Sequence, residues 1–587
     1  MNARSLAALP LLTVLAAHAQ NLLPNPDFES GATTPSGWTL AEGAGAWSPV
    51  GPAGTNHGLR VRGHGEDQSV WRTGPLPLQP GGVYRLSFRG RRLPGAAGGT
   101  AVSGTGAVNR DFPLDPEWRA YRFYFRQPDH VTADFVRLGQ WHVRGELEFD
   151  DAELVPVLAG HRRVTLPEGR ALELGEGEVL GGGHYRFLGD FGWAGSTLHR
   201  PLARATARFN TDRWVFTPGA ELVYRFALPG LTQTRARLSA VLAHHVAGEL
   251  VVSVSRDGGS WVEAGRLDGA RRGGGWELPG ALFPATNLWV RLHTPAAEAA
   301  LQVGRLEYEA ALDIAPPEVF GETRFLEVTG GTHPERVAWR GFAGPDAAGR
   351  HHLVFSVSNP EPAPLRVSAR MTGAAGASRT QRWTVPAGQR GDSALEIGPL
   401  AAGEQTWTVT FLDGQGRVLL HGQLGWATGF LEDASYGYRL AGSADADLWW
   451  CESGWKVGRT RPLPAARRRE PVRLSAAGGE FEAVQIVLRP RRAGTLRAVE
   501  VGPFRDAAGR PAAIAAEVHE VVYVPVTLPT DATGRRGWYP DPLPPLDHPR
   551  QAVTVREQRP GIGREMRQVA RHRRRHLQQP PGFREHC

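Results

Sequence analysis

Between residues 21 and 548 the apolar positions come in short runs, many alternating with polar ones, and helical periodicity is hard to find. Tyr84–Phe88 (YRLSF), Tyr121–Phe125 (YRFYF), Leu250–Val254 (LVVSV), Leu288–Leu292 (LWVRL), His352–Val357 (HLVFSV) and Val484–Leu488 (VQIVL) are examples, bounded by Gly, Pro, Asn and Asp. Short runs rich in β-branched and aromatic residues between turn signals predict strands. Their regular recurrence predicts stacked antiparallel sheets, an all-β chain of tandem β-sandwiches. Four units are expected, at about 20–157, 160–313, 314–430 and 431–548, followed by a tail over 549–587. Pro156 and Ala315-Pro316-Pro317 mark the first two joints.

The length of 587 residues exceeds what one core supports and agrees with several units. Cys451 and Cys587 are the only cysteines, which excludes a disulfide scaffold and a cysteine-type zinc site. The net charge of +8 is unevenly placed. Lys456 is the one lysine among 67 basic residues, a ratio that reads as codon bias in a GC-rich genome. Ten of the arginines fall in the 39-residue tail against three glutamates, so the domains are nearly neutral. The tail reads in three ways: a frameshifted or early-ended stretch, a solvated and disordered basic tail, or an arm for anionic surfaces. No aromatics alternate with its arginines to stack on bases, and no nucleic-acid partner is expected.

The first residues suggest export. Met1-Asn-Ala-Arg4 is a basic start, Leu6–Ala17 is an apolar stretch too short to span a bilayer, and Ala17-His18-Ala19 has a small-x-small cleavage pattern. A signal peptide over 1–19, cleaved after Ala19, is expected, with a secreted or periplasmic product. No later run is apolar enough for a transmembrane helix.

The first unit carries an ordered frame. It runs from Asn21-Leu-Leu-Pro-Asn-Pro-Asp-Phe-Glu29 and Pro35-Ser-Gly-Trp38, through Leu78–Phe88 and Trp118-Arg-Ala-Tyr-Arg-Phe123, to Glu148-Phe-Asp150-Asp151-Ala-Glu-Leu154. This resembles the jelly-roll carbohydrate-binding modules related to families 4, 9 and 22. In a sandwich the first and last strands lie side by side, which would bring Glu29 and Asp150 together. Paired carboxylates repel unless a proton or cation joins them, and oxygen ligands suit calcium. The resemblance implies a structural calcium there, with Glu29 and Asp150 as candidate ligands; the alternative is two surface carboxylates. A sugar ring packs its C–H face on an aromatic side chain. Trp38 and Trp118 sit in the frame and are expected in the core. Trp47, Trp71 and Trp141 lie outside it and are the candidate platforms, with Arg89 and Arg91 as candidate partners for hydroxyl groups.

In the second unit Val254-Ser-Arg-Asp257-Gly-Gly-Ser-Trp261 resembles discoidin-like, galactose-binding-fold domains, where this is a hairpin with a packed tryptophan; Asp257-Gly258 supplies the turn. Asn210-Thr-Asp-Arg-Trp214 reads as a turn ending in a buried tryptophan, the alternative being a cluster that faces a ligand. The third unit, with its Asn359-Pro turn, resembles an immunoglobulin-like spacer. The fourth contains Trp449-Trp-Cys-Glu-Ser-Gly-Trp455-Lys456-Val, Glu480-Phe-Glu482-Ala-Val-Gln485-Ile-Val and Gly537-Trp-Tyr-Pro-Asp541-Pro-Leu-Pro-Pro545. Together these resemble the N-terminal β-sandwich of glycoside hydrolases similar to family 123, which act on N-acetylhexosaminides. The resemblance implies a following (β/α)8 barrel with an adjacent Asp–Glu pair and attack by the substrate's acetamido group. A barrel takes about 250 residues, and the tail cannot hold one. Glu480 and Glu482 read as part of a sandwich strand, so no catalytic residue is assigned. The sequence thus predicts the exported, glycan-binding and non-catalytic part of a glycan-degrading hydrolase. The alternative is a surface adhesion or structural protein.

Overall fold

The short runs are strands. In the computed structural model all six runs quoted above lie inside extended segments, and among the described residues there is no α-helix. The described residues are 21–546, without 51–55, 167–168, 193–195, 296, 317, 347–348, 374–375, 399, 401–402, 460, 465–471, 492–493, 497–498 and 527–535, together with 553–555 and 567–570. The expected signal peptide therefore lies outside them, as does most of the tail. Within the tail, Val553–Val555 pairs with Gly494–Leu496 and Arg567–Ala570 pairs with Val484–Pro490. These two pieces are strands where a disordered tail was expected, because backbone groups there find ladder partners. Among the described residues no helix is long and apolar enough to cross a membrane.

The first sandwich is built from β1 (Trp38–Glu42), β2 (Ala44–Pro49), β3 (His57–His64), β4 (Gln68–Thr73), β5 (Val83–Arg92), β6 (Thr100–Thr105), β7 (Val108–Phe112), β8 (Arg119–Arg126), β9 (Val136–Trp141) and β10 (Arg144–Thr165). One sheet has the order β1-β4-β9-β6-β7 and the other β2-β3-β10-β5-β8. Between them pack Trp38, Trp71, Phe88, Phe123, Phe125, Leu138 and Phe149, all buried. Inward residues alternate with outward ones along each strand, the pattern a half-buried sheet requires.

Neither sheet ends with the first sandwich. β7 pairs in parallel with β11 (Arg208–Asn210), which forms a hairpin with β12 (Arg213–Phe216), and β12 pairs with β13 (Ala300–Leu312). The turn from Asn210 to Arg213 places Thr211 at a φ of 59° and delivers Trp214 to the core, as expected. The second layer of that sandwich is a five-stranded sheet containing Leu250–Ser255 and Val262–Leu267. These two strands form the expected hairpin, with Gly258 at a φ of 78° and Asp257 Oδ1 accepting from the backbone N–H groups of Gly259 and Ser260. Those donors hold the Asp257 carboxyl down at about 2. This sandwich also holds a buried ion cluster. Glu178, without solvent exposure, accepts from Gly175 N at 2.5 Å, Tyr185 Oη at 2.6 Å and Arg200 Nε at 2.7 Å.

β10 is the second continuity. Its first half pairs with β3 and β5, and Val157–His161 then pairs with β14 (Thr323–Gly330) of the third sandwich. The joint expected at Pro156 is therefore inside a strand. Proline lacks an N–H, but its φ suits extended backbone, and Pro156 simply stands opposite Tyr84. The junction is reinforced by Arg85, which reaches Glu153 Oε2 at 2.5 Å and Glu327 Oε1 at 2.8 Å. Beside it Tyr124 stacks on Phe325 at 3.9 Å. In the third sandwich the buried Asn359 amide donates to Ala363 O, Val385 O and Pro386 O and fixes the expected turn.

The described residues divide into two compact units. The first is drawn from Met1–Phe342, Leu353–Leu395 and Thr406–Trp426, the second from Ala343–His352, Glu396–Gln405 and Ala427–Cys587. In the second unit β15 (Ala446–Glu452) pairs with β16 (Val484–Pro490) over a small core of Tyr436, Trp449, Cys451, Val457 and Val487. Arg461 is fully buried there, its guanidinium 4.0 Å from the centroids of both Tyr436 and Trp449.

Candidate functional site

The residues singled out in the sequence separate once strand register is known. Trp71 is 3% exposed and donates its indole N–H to Arg60 O at 3.0 Å. It faces the core beside Leu138, its partner across the β4–β9 pair, so it offers no ring face to a ligand. Trp47 is half-buried, donates to Phe28 O at 2.7 Å and packs against His57. Trp141, the last residue of β9, is 46% exposed and stacks on His142 at 4.3 Å. Of the three candidate platforms, it is the one that presents a broad surface to solvent.

Arg89 and Arg91 lie on the other sheet. Arg91 binds Glu148, which is 1% exposed and also takes Arg60. Arg89 reaches Asp151 at 3.4 Å. Both guanidiniums cover Trp118, at 5.6 and 4.9 Å from its ring. Trp118 is thus half-buried under arginines, whereas the sequence placed it in the core; the strand that follows begins only at Arg119. The guanidiniums are engaged with carboxylates and a ring, so this face is an internally compensated network.

Glu29 and Asp150 come to neighbouring residues. Glu29 Oε1 accepts from the His57 backbone N–H and Asp150 Oδ2 accepts from Asn56 Nδ2, both at 2.6 Å. The segment around Glu29 runs beside β10, with Leu22 N on Leu154 O and Ala152 N on Pro26 O. Asp150 is 4% exposed, and burial pushes its carboxyl up to about 6. Asp150 also accepts from Asp151 N at 2.8 Å, and oxygen ligands from it and from Glu29, held on the consecutive residues Asn56 and His57, are of the kind a hard cation takes. Among the described residues no group of three or more His, Cys, Asp or Glu gathers around a point, so backbone oxygens would have to supply the rest.

The outer face of the β1-β4-β9-β6-β7 sheet is the open surface. Along β9, Arg137, Gly139 and Trp141 point outward, while Val136, Leu138 and Gln140 are buried. Opposite them stand Arg72, Val70 and Gln68 on β4 and Gly104, Val102 and Thr100 on β6. Asn109 and Asp111 continue the rows on β7. Burial raises the Asp111 carboxyl and lowers the Arg137 guanidinium, so both lie partly sunk in this face. The sequence marked Trp141 and missed the polar floor, whose residues are scattered over four strands.

In the second unit the three motifs that carry the hydrolase resemblance converge. Gln485 Nε2 donates to Glu452 O and Trp455 O, Lys456 reaches Asp541 at 3.3 Å, and Trp455 stacks on Tyr436 at 4.2 Å. Glu480 and Glu482 were expected in the strand but precede it; both are exposed, and Glu480 caps the turn at Ala477. Cys451 is buried and its thiol is pushed up to about 12, which makes it inert.

No family model and no curated protein matches the chain. Solved structures similar to it include the tandem CBM22 domains of Paenibacillus barcinonensis Xyn10C, at 14% identity over 51% of this chain and 99% of that one, with a TM-score of 0.20. Others are a Bacteroides uniformis β-glucuronidase (11% identity, 44% of this chain, 33% of that one, TM-score 0.14) and a β-galacturonidase from Eisenbergiella tayi (10%, 40%, 38%, 0.15). The chain therefore spans about a third of the length of the two hydrolases. Similarity at this level concerns β architecture and reaches neither ligand nor activity.

Proposed function

We propose that this is the glycan-binding, non-catalytic part of an exported glycoside hydrolase related to family 123, and that it binds sugar on the outer face of the β1-β4-β9-β6-β7 sheet. The observation that carries this reading is Trp141, an exposed indole on the same face as a half-buried polar floor. Such a pairing of apolar platform and fixed polar groups suits a pyranose. The convergence of the Trp449–Lys456, Gln485 and Trp538–Asp541 motifs supports the family. Screened on a glycan array, the full chain should bind at least one polysaccharide, and Trp141→Ala should weaken it about tenfold or more. Trp47→Phe should leave binding intact. An array without any signal, or turnover of an aryl N-acetylgalactosaminide by this chain, would sink the reading.

Glu29 and Asp150 are proposed to hold calcium, which would neutralise a buried carboxylate and tie the N-terminal segment to β10. Calcium at a hundredfold excess over its Kd should then stabilise the first sandwich by about 2.7 kcal/mol. Asp150→Asn should abolish the shift in calorimetry, and an equal shift in that variant would count against the site.

A further inference from the structure

The sheet that carries Trp141 does not stop at the first sandwich. One transverse row of outward residues, each directly opposite the next, runs Arg72 (β4), Arg137 (β9), Gly104 (β6), Asn109 (β7), Asn210 (β11) and Arg213 (β12). Five strand spacings make the row about 24 Å long. The crossing between sandwiches is tightly built. Asn109 Nδ2 donates to Asn210 Oδ1 at 3.0 Å, Thr211 N to Asn109 O at 2.8 Å, and Asp111 N to Thr211 Oγ1 at 3.2 Å. Gly104 keeps the middle flat. Its φ is +141°, and a Cβ there would lie 2.3 Å from Val108 O.

One end of this row carries two arginines, with Asp111 and Asp134 near enough to Arg137 to favour its charged form though not to form an ion pair. Arg72 and Arg137 stand directly opposite each other, and like charges at such positions repel. Among the described residues neither has a carboxylate within ion-pair distance; Arg72 lies over the Phe135 ring at 5.4 Å, and Arg137 Nε is buried without a hydrogen bond. At the other end Arg213 is already paired with Asp212 at 2.8 Å. Two guanidiniums at facing positions on one surface can each turn terminal N–H donors to a planar anion.

We propose that this row is a single binding face shared by both sandwiches, that it takes an extended polysaccharide bearing uronate carboxylates, and that the Arg72–Arg137 pair receives one of those carboxylates. Asn109, Asn210 and Arg213 hold hydroxyl groups further along the same chain. This rests on the glycan-binding reading above and goes beyond it in naming an acidic ligand and a two-sandwich site.

The test is calorimetric titration of the full chain with galacturonan, alginate and glucuronoxylan oligomers of increasing length, beside neutral xylan and glucan oligomers. Uronate oligomers should bind more tightly than neutral ones, with affinity rising with length and falling with salt. Arg137→Gln, or the more exposed Arg72→Gln should the first melt early, is expected to lower uronate affinity about ten- to a hundredfold. Arg213→Ala should weaken long oligomers and leave the shortest binders unchanged. Neutral oligomers bound as tightly as uronates, with both arginine variants silent, would overturn this inference and leave glycan binding standing. Preference for sulfated over carboxylated chains would overturn the uronate assignment. Arg213→Ala without effect at any length would overturn the shared face. Failure of every glycan would remove this inference and the reading beneath it together.

Discussion

Glu178→Ala is expected to destabilise the second sandwich by about 3–5 kcal/mol, the range for breaking a buried ion pair from one side. The carboxylate is fully buried and takes Arg200, Tyr185 and a backbone N–H together. Arg200 is itself raised above its ordinary value by that carboxylate, against burial, which lowers it. Removing Glu178 strands a guanidinium, a phenol and an amide where water does not replace the lost partner. The double variant Glu178→Met with Arg200→Met should recover most of the loss, because buried pairs are costly to desolvate and apolar replacements of similar volume are often neutral. A double-mutant cycle on the calorimetric transition measures this, with a coupling of about 0.5–3 kcal/mol expected. A single-variant cost below about 1 kcal/mol, the level of an exposed pair, would refute the account.

Arg461→Ala should be comparably severe in the second unit. Arg461 has no exposure, donates to Asp433 O and Tyr436 O, and lies between two aromatic faces. Burial lowers its guanidinium, and the two rings together with the carbonyls replace its water. Truncation leaves a cavity between Tyr436 and Trp449 and unpaired carbonyls, a combined loss of about 3–5 kcal/mol. Arg461→Lys should not rescue it, because an ammonium cannot stack flat between two rings and reach two carbonyls at once. Hydrogen exchange at β15 and β16 should accelerate in both variants; unchanged protection would show that the cation is dispensable there.

Alternation was enough to locate strands such as Val83–Arg92 and Val484–Pro490, because one face of each is buried. Trp71 became a candidate because it lies outside the frame motifs, and alternation gave no correction, since its face of β4 also carries Ser69 and Thr73, both polar in type and both buried. Trp141 shares its face with Arg137, so the correct signal was present in VRLGQW, but only register tells which parity faces water. At Pro156 the chain changes partner, from Tyr84 of β5 to Glu327 of β14 at the next residue, but the extended φ of proline carries β10 through the joint as one strand. Of the polar row, the cluster from Asn210 to Arg213 could be marked, but its continuation across four more strands was out of reach. Asn109 and Asn210 are 101 positions apart, and nothing local signals that they meet.

The length of β10 also decides how this protein can be cut. A truncation that begins near residue 160 would strip Val157–Ala159 from Glu327–Phe325 and leave part of the main chain of β14 without its ladder partner. Bare strand margins recruit other strands, so such a fragment should self-associate. Dissection by the apparent sequence boundary would then yield precipitate where the intact polypeptide stays dispersed.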